Sequence, residues 1–526
     1  MKYEELKTLY RAGRIGRRDF LAGAAAIGAL AAASSVLGGT ALAAEPKKGG
    51  ALKMGIGAGS TTDSMDPATI LDTYMQTVSF GCLRNNLTEV DNTGKLVGEL
   101  AEGWDSDDAA TWVFRLRSGV EFHNGKTMTA DDVVASVNHH RGPDTKSPGK
   151  ALLATLTEIR KDDDNTVVFM MKEPNADFPY ILSDYHLPIL PATDSGIDWE
   201  SGVGTGGYVV KEFEPGVRTY MERNPNYWKQ GRAHFDSVEV LAIIDVAARQ
   251  NALTTGEINL MDRCDLKTVN LLKRAPNIDV FEVTGSQHYT FAMRTDMAPF
   301  DNNDVRLALK LAIKREELVQ TILNGHGVVG NDTPMSAATS FYVELEQRTY
   351  DPEKAKFHLK QAGLESLSID LSAADSAFAG AVDAAVLYKE HAAAAGININ
   401  VVREPNDGYW SNVWMKKPYC AVYWSGRPTA DWMFSTAYAA DAAWNDTFWK
   451  NERFNELLIQ GRAELDEKKR SEIYREMQQI LRDEGGVVVP MFANYVNAAT
   501  KGFAHDTIGA NWDLDGLKLP ERWWFA

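Results

Sequence analysis

The sequence predicts a mixed α/β protein with more than one hydrophobic core. First, the chain has 526 residues, whereas a single core stops growing near about 250 to 300 residues. Second, strand and helix signals alternate along the chain without an internal repeat or a low-complexity segment. Third, 44% of the residues are apolar and 24% are charged, which is typical of a globular rather than a disordered protein.

Residues 1–43 have the layout of an export signal. Arg17-Arg18-Asp19-Phe20-Leu21 precedes a weakly apolar stretch, and Ala41-Leu42-Ala43 has the small-x-small form of a cleavage site. The arginine pair and the low hydrophobicity resemble a twin-arginine signal. A membrane anchor is the alternative, but a span needs about 20 strongly apolar residues. No cysteine stands at the cleavage point for a lipid anchor, so we expect a periplasmic protein that is not lipid-anchored.

The remaining chain is acidic and poor in cysteine. Residues 1–43 hold six basic and three acidic side chains, and without them the net charge is about −20. A polyanion such as nucleic acid is therefore not an expected partner. Cys82, Cys264 and Cys420 allow at most one intrachain disulfide in an oxidising compartment, and buried free thiols are equally compatible with the sequence.

Local patterns indicate both strands and helices in the first half of the chain. Apolar residues alternate with arginines around Trp112, Phe114 and Leu116, which predicts a half-buried strand. Thr129, followed three residues later by Asp132, has the spacing of a helix N-terminus.

The second half is richer in helix signals. We expect Asp304 to cap a helix, because the apolar residues that follow it recur on one face. Asp351-Pro352 begins another helix and Gly363 ends it. The apolar runs 420–424 and 487–491 read as strands covered on both faces. The sequence therefore predicts helices flanking a sheet.

Enzyme signatures are missing from the sequence. It contains no Gly-x-Ser-x-Gly, no His-Glu-x-x-His and no Walker loop. The adjacent His139 and His140 point about 100° apart on a helix, so we expect a solvent-exposed pair and not a metal site. No compact His, Met or Cys cluster is evident, and no metal or cofactor is predicted.

Several separated segments together resemble one protein family, the family 5 extracellular solute-binding proteins of bacterial ABC importers. The segments, in chain order, are Met65-Asp66-Pro67, Gly98 to Trp104, Phe114 to Asp132, Gly204 to Tyr208, Arg223 to Trp228, Pro299-Phe300-Asp301, Val305-Arg306, Tyr350 to Ala355 and Ala362-Gly363. The most specific is Arg-Leu-Arg-x-Gly-Val-x-Phe-His-Asn-Gly within Phe114 to Asp132. Most of these residues specify turns rather than binding chemistry.

The resemblance implies a two-lobed periplasmic binding protein-like fold (type II, cluster C) with an extra subdomain inserted in the first lobe. The boundaries we expect are a signal at 1–43, lobe I at 44–91, 201–285 and 496–526, the inserted subdomain at 92–200, and lobe II at 286–495. The implied function is capture of a peptide, an opine-like compound or another carboxylate-bearing solute and its delivery to an ABC permease and ATPase. We expect a monomer without catalytic activity. The alternatives are a periplasmic enzyme or chaperone on this scaffold, and a nickel or haem carrier of the family.

The segment 423–434 is the main candidate for the binding site, since nine of the thirteen tryptophans lie beyond residue 400 and aromatic walls are typical of ligand clefts. In the peptide-binding members, the resemblance implies an aspartate just after the corresponding strand that binds the ammonium group of the peptide. Aligning back from Phe434 puts Arg427 at that position. Arginine suits a carboxylate or a phosphate, so we hypothesise that Arg427 binds an anionic group of the ligand.

Neighbouring residues leave alternatives open. Asp431 could receive an ammonium group or form a salt bridge with Arg427. Trp424 could stack on the solute or be part of the core, and Tyr423 and Ser425 flank it at the strand end.

Further candidates lie outside this segment. In the first lobe they are Asp72, Thr73 and Tyr74, at about the distance from Asp66-Pro67 where peptide-binding relatives contact the ligand. Elsewhere they are Tyr409, Trp410 and His288. Core packing is the alternative for each of these, and His288 is expected to precede a strand close to the hinge.

Overall fold

Twenty-one strands and a set of mostly short helices form the part of the chain that the structure describes. The structure is a computed structural model and describes residues 46–143, 145–406 and 409–526. The predicted export signal at 1–43 lies outside these residues. The strands are β1 (Ala51–Ile56), β2 (Thr88–Val90), β3 (Leu96–Gly98), β4 (Ala101–Asp105), β5 (Thr111–Leu116), β6 (Leu156–Asp163), β7 (Thr166–Met171), β8 (Ala192–Thr193), β9 (Gly196–Ile197), β10 (Tyr208–Glu214), β11 (Arg218–Arg223), β12 (Ser237–Ala242), β13 (Leu260–Met261), β14 (Ile278–Met293), β15 (Gly327–Val329), β16 (Leu367–Ala373), β17 (Ile397–Arg403), β18 (Tyr419–Trp424), β19 (Val487–Thr500), β20 (Phe503–Ala504) and β21 (Trp524–Phe525).

The helices cluster in the second half of the chain, as the sequence predicts. They are α1 (Thr73–Val78), α2 (Ala130–His139), α3 (Gly149–Leu152), α4 (Phe178–Ile181), α5 (Val246–Thr255), α6 (Val269–Leu272), α7 (Asn303–Leu311), α8 (Arg315–Ile322), α9 (Pro352–Gln361), α10 (Ala381–Ala393), α11 (Tyr409–Asn412), α12 (Ala430–Ala437), α13 (Glu452–Ala463), α14 (Glu467–Glu484) and α15 (Leu519–Arg522), with a 3₁₀ turn at Pro67–Thr69, a π-helical segment at Ser79–Leu83 and a kinked turn at Asp513–Gly516. Within the described residues, none of the helices is both long enough and apolar enough to cross a membrane.

One large mixed sheet organises the chain. Its strand order is β10-β11-β12-β1-β13-β19-β14-β18-β16-β17, and β15 pairs with β19. In this order, β10 to β13 and β1 lie on one side of the strand pair β19 and β14, and β16, β17 and β18 lie on the other. The long strands β14 and β19 pair antiparallel between these two sets. A second, four-stranded antiparallel sheet has the order β4-β5-β7-β6, and it carries a hydrophobic core of its own around Phe114 and Phe169. The prediction of a mixed α/β fold with several cores is confirmed.

Most predicted elements form where the sequence places them. Thr129 and Asp132 make a capping box at the start of α2, and Asp351 caps α9 through the backbone N–H of Lys354. The expected cap at Asp304 is wrong. Asn302 caps α7 instead and accepts from the backbone N–H of Asp304 at 2.9 Å, because Asn serves as an N-cap as well as Asp does.

One other expectation is wrong, and one open alternative is decided. The histidine pair is not solvent-exposed: His140 is fully buried with Nδ1 2.6 Å from the Ser147 hydroxyl, and His139 contacts the Asp66 carboxylate at 2.8 Å. The pattern gave no sign of these partners, since both are distant in sequence or lie in a loop. All three cysteines are buried free thiols.

The family-like motifs act as scaffold. A Cβ added at Gly206 would lie 2.3 Å from the carbonyl carbon of Leu83, so the two backbones touch only because glycine stands there. The Tyr208 hydroxyl donates to the Pro520 carbonyl at 2.8 Å. Arg306 donates to the Glu484 carbonyl at 2.6 Å, at the C-terminal end of α14. These motifs therefore hold distant segments together rather than line a pocket.

Lys310 is a buried cation at the same helix end. Its Nζ donates to the Arg482 carbonyl at 2.9 Å, where the helix dipole favours positive charge. Burial lowers the pKa of Lys310 to about 7, with Arg348 and Arg306 acting in the same direction and Asp332 acting against them.

We predict that Lys310→Met flattens the pH dependence of stability above neutral pH. Between about pH 7 and 10, the unfolded chain keeps a proton on this lysine that the folded chain gives up, so the free energy of unfolding of the wild type rises with pH. The difference in the free energy of unfolding between the wild type and the variant should change by up to about 1.4 kcal/mol per pH unit. Urea unfolding across this range measures it. Lys356→Met, at a lysine on α9 paired with the exposed Glu353, is the control, and parallel curves for Lys310→Met and the wild type would contradict the prediction.

Candidate ligand-binding site

Arg427 lies in the loop between β18 and α12, which packs against the central strand β14. The loop follows Trp424, and Thr429 ends it by capping α12 with its hydroxyl, which accepts from the N–H of Trp432 at 3.2 Å. A Cβ added at Gly426 would lie 1.7 Å from the Ser286 hydroxyl oxygen. Glycine therefore lets the loop press against β14 where its register with β19 shifts, between Thr284 and His288.

The Arg427 guanidinium has no carboxylate partner among the described residues. Nη1 donates to the carbonyl oxygens of Ser425 at 3.0 Å and Gly426 at 3.2 Å, and no carboxylate oxygen of the described chain lies within 4.0 Å. Burial lowers the pKa of Arg427, and Tyr185, Asp184 and Tyr423 oppose the shift from a greater distance. Arginine stays charged at neutral pH. Arg427 is thus a partly desolvated cation that is free to pair with an anion.

Asp431 is not available to Arg427 or to a ligand. Its carboxylate accepts from Arg462 Nε at 3.1 Å, and Arg462 also donates to the Ser435 hydroxyl at 2.6 Å. Burial raises the pKa of Asp431 to about 6, and Arg462 opposes that shift. The alternative of an Arg427–Asp431 salt bridge is therefore wrong, because α13 supplies a different arginine.

Five aromatic residues form a continuous cluster beside Arg427, which we call the aromatic shelf: Trp410, Trp414, Tyr423, Trp424 and Trp444. Neighbouring ring centroids are 5.5 to 6.4 Å apart. Trp410, Tyr423 and Trp444 are 39%, 40% and 50% exposed, whereas Trp424 is buried. The shelf therefore has a packed base and an accessible outer surface.

Asp446 lies beneath the shelf. Its carboxylate accepts from the indole N–H of Trp414 at 3.1 Å, and the indole of Trp424 lies nearby. Burial raises the pKa of Asp446 to about 7, and the two indoles oppose the shift. No lysine, arginine or histidine of the described chain lies within 4.0 Å of this carboxylate.

Tyr409 and His288 are core residues. The Tyr409 hydroxyl donates to the Ala421 carbonyl at 2.8 Å, and its ring is buried. His288 lies inside β14, not before a strand, and pairs in register with Trp424. Its Nδ1 donates to the Ser286 carbonyl at 2.9 Å, so the buried Nε2 is a bare acceptor without a hydrogen-bond partner. Burial lowers the pKa of His288 to about 4, which keeps it neutral.

The three first-lobe candidates at α1 have structural contacts. Asp72 caps α1 by accepting from the N–H groups of Tyr74 and Met75. The Tyr74 hydroxyl is buried 2.8 Å from the Thr219 hydroxyl. The Thr73 hydroxyl accepts from Arg263 Nη2 at 2.6 Å.

Sequence reasoning missed several charged or aromatic residues near α1 and near Arg427. Arg263 is 57% exposed at its side chain, and its Nε lies 3.8 Å from carboxylates of both Asp262 and Asp513. Burial raises the pKa of Asp262 to about 6, and Asp513 adds to the effect. Tyr185, next to Trp512 at a ring distance of 5.6 Å, lies in the segment 92–200 and interacts electrostatically with Arg427. Arg263 adopts a positive φ of 46°, and its residue type gave no indication of this conformation.

A cavity of about 420 Å³ lies elsewhere, lined by His139 and by residues from Thr193 to Glu200. None of its lining residues contacts Arg427 or the aromatic shelf. Within the described residues, no group of three or more His, Cys, Asp and Glu side chains is arranged to hold a metal ion.

Comparison with known proteins agrees with this architecture. The family model for bacterial extracellular solute-binding proteins, family 5, matches residues 95–446. The dipeptide-binding protein of Escherichia coli (strain K12) is 26% identical over 475 residues, covering 81% of this chain and 87% of that protein. Two solved structures have the same fold. AgaA from A. tumefaciens R10, in complex with agropinic acid, has a TM-score of 0.72 at 23% identity and covers 91% of this chain and 99% of that chain.

The second structure is DppA from Helicobacter pylori, an ABC transporter-associated periplasmic binding protein in complex with the peptide STSA. It has a TM-score of 0.71 at 24% identity and covers 90% of this chain and 98% of that chain. The family match covers more than half of the residues, and both structures share the overall fold of this chain. This chain is therefore a member of the family 5 bacterial extracellular solute-binding proteins.

Proposed function

We propose that this protein is the periplasmic binding component of an ABC importer and that it captures a carboxylate-bearing solute, either peptide-like or opine-like, without altering it. The observation that carries the proposal is the Arg427 guanidinium, which is partly desolvated and has no carboxylate partner among the described residues. The agropinic acid and peptide complexes of the two similar structures support this solute class. We further propose that residues 1–43 direct export by the twin-arginine route and that the mature protein is a monomer without a lipid anchor.

Capture requires that the two lobes close on the solute. We propose that the lobes hinge near 285/286 and 495/496, because the register of β14 with β19 shifts between Thr284 and His288. A ligand that contacts both lobes favours the closed form through its differential affinity. Arg427 from lobe II faces Tyr185 from the first-lobe side, so an anion on Arg427 would lie where the lobes meet.

Three contacts join residues 92–200 to lobe II in this conformation. Arg470 Nη2 donates to the Asp177 carboxylate at 2.6 Å, and both side chains are buried. The Ser340 hydroxyl lies 3.2 Å from the Tyr180 hydroxyl. The backbone N–H of Ala176 donates to the Arg462 carbonyl at 2.7 Å. We propose that these contacts form on closure and hold the closed state.

We predict that Arg427→Ala abolishes retention of the natural solute. Native mass spectrometry of the wild type as purified should show a bound small anion. In isothermal titration with that compound, the binding free energy of the variant should be weaker by about 2 to 5 kcal/mol, since the carboxylate of the solute would be buried unpaired. Arg427→Lys should be intermediate because it keeps the charge but loses the planar fork.

The control for this prediction is Arg453→Ala, which removes an exposed arginine paired with Glu476. Unchanged affinity in Arg427→Ala would refute the role of the residue. A mass change of the compound on incubation with the protein would favour the enzyme alternative.

We predict that Arg470→Gln weakens solute binding although Arg470 does not contact the solute. The variant leaves Asp177 unpaired only when the lobes are closed, and an uncompensated buried charge costs roughly 3 kcal/mol or more. Closure should therefore be less favourable, the dissociation rate faster, and small-angle scattering of the solute-bound protein should show a larger radius. Arg453→Gln on the same lobe is the matched control. Equal scattering profiles and off-rates would exclude the closure role.

A further inference from the structure

Arg427 and Asp446 are a cation and a carboxyl group that each lack a partner of opposite charge within 4.0 Å among the described residues. Asp446 is buried and accepts a hydrogen bond from the indole of Trp414, a residue of the aromatic shelf, and burial raises its pKa to about 7, so it is partly ionised at neutral pH. Arg427 follows Trp424, another residue of the shelf, by three residues, so their Cα atoms are at most about 11 Å apart. Both groups therefore adjoin the same aromatic shelf.

The surface above Asp446 is suited to a cation. The accessible ring faces of Trp410, Tyr423 and Trp444 have no lysine or arginine stacked on them, unlike several other aromatic residues of the described chain. Tryptophan faces attract cations most strongly among the aromatic residues. The Asp446 carboxylate, which accepts from the indole N–H of Trp414, adds a negative field behind the same faces when it is ionised.

We propose that the aromatic shelf, with Asp446 beneath it, binds a cationic group of the solute, such as a substituted ammonium, so that the solute is a zwitterion with its carboxylate on Arg427. This inference rests on the proposed function for the carboxylate half. The cation subsite itself is independent of Arg427 and can be tested alone. In this arrangement the cation contacts the ring faces and not the Asp446 carboxylate, which stays hydrogen-bonded to the indole of Trp414.

Asp446 also gives the subsite a pH dependence. The groups that face its carboxylate are Trp414, Trp424, Cys420 and Tyr438. Burial raises the pKa of the Cys420 thiol and of the Tyr438 hydroxyl, so both stay neutral around pH 7. Only Asp446 in this set changes charge there. A cation should bind more tightly as pH rises from about 6 to about 8 and the carboxylate ionises.

The test is a titration of tryptophan fluorescence with choline chloride and with 3,3-dimethylbutan-1-ol, its uncharged isostere. Choline should saturate the signal at a concentration at least about tenfold lower than the alcohol, and its affinity should rise with pH. Asp446→Asn should reduce the choline preference and abolish its pH dependence. Trp444→Ala should weaken the binding of choline, and Trp444→Phe should restore part of it.

Matched controls separate this proposal from the previous one. Phe357→Ala removes an aromatic ring of similar exposure on α9 and should change nothing. Arg453→Ala, at an exposed arginine paired with Glu476, should leave choline binding unchanged. Equal affinity for choline and the alcohol, or an Asp446→Asn variant that keeps its native circular dichroism spectrum and the full choline preference, would overturn the proposal. If Arg427→Ala left solute binding unchanged while the wild type kept its choline preference, only the carboxylate half of the proposal would be refuted.

Discussion

The antiparallel pairing of β14 with β19 is the constraint on which the rest of the structure depends. Both strands lie inside the large sheet, with β10 to β13 and β1 on one side of the pair and β16 to β18 on the other, so each set of strands is positioned relative to this pair. The ladder runs from the Ile278–Thr500 pair to the Thr284–Asn494 pair and resumes at His288 with Phe492. A bulge in a ladder bends the strand locally. The loop that carries Arg427 packs on this interruption through Gly426 and Ser286, which fixes the loop beside the central strand pair.

Buried charge holds the end of the chain against the first lobe. Lys229 contacts Glu89, Glu99 and Glu521 at 2.5 to 3.0 Å, and Arg522 contacts Glu89 at 2.6 Å. Burial alone would raise the pKa of Glu89, but Lys229 and Arg522 hold it well below its ordinary value. Such a network gains little net stability over apolar packing. Its charges need specific partners, however, and this requirement brings the C-terminal segment to one place beside β2.

The sequence predicted the elements better than it predicted the site. Alternation in β5, the capping box of α2 and the apolar runs of β18 and β19 depend on neighbours in sequence, and the structure confirms them. Partners that are distant in sequence were not predictable. Arg462 lies 31 positions after Asp431, and Asp446 approaches Trp424 only because the chain returns after α12. Arg427 was found because one arginine departed from a family pattern, not because any local spacing identified it.

The Arg427 guanidinium lacks a carboxylate partner because Asp431 pairs with a different arginine. Asp431 stands four residues after Arg427 and on the first turn of α12, and Arg462 from another helix pairs with it. Arg462 is held there by the Ser435 hydroxyl and by its own carbonyl, which accepts from Ala176. The Arg427 guanidinium is left with two backbone carbonyls, which satisfy its N–H groups only in part and leave its charge uncompensated. A side chain held in this condition lowers the stability of the unliganded protein, and under the proposed function an anion of the solute would remove that penalty when it binds. The Arg462–Asp431 pair would then act on ligand binding without contact with the ligand, because it engages the carboxylate nearest to Arg427 in sequence.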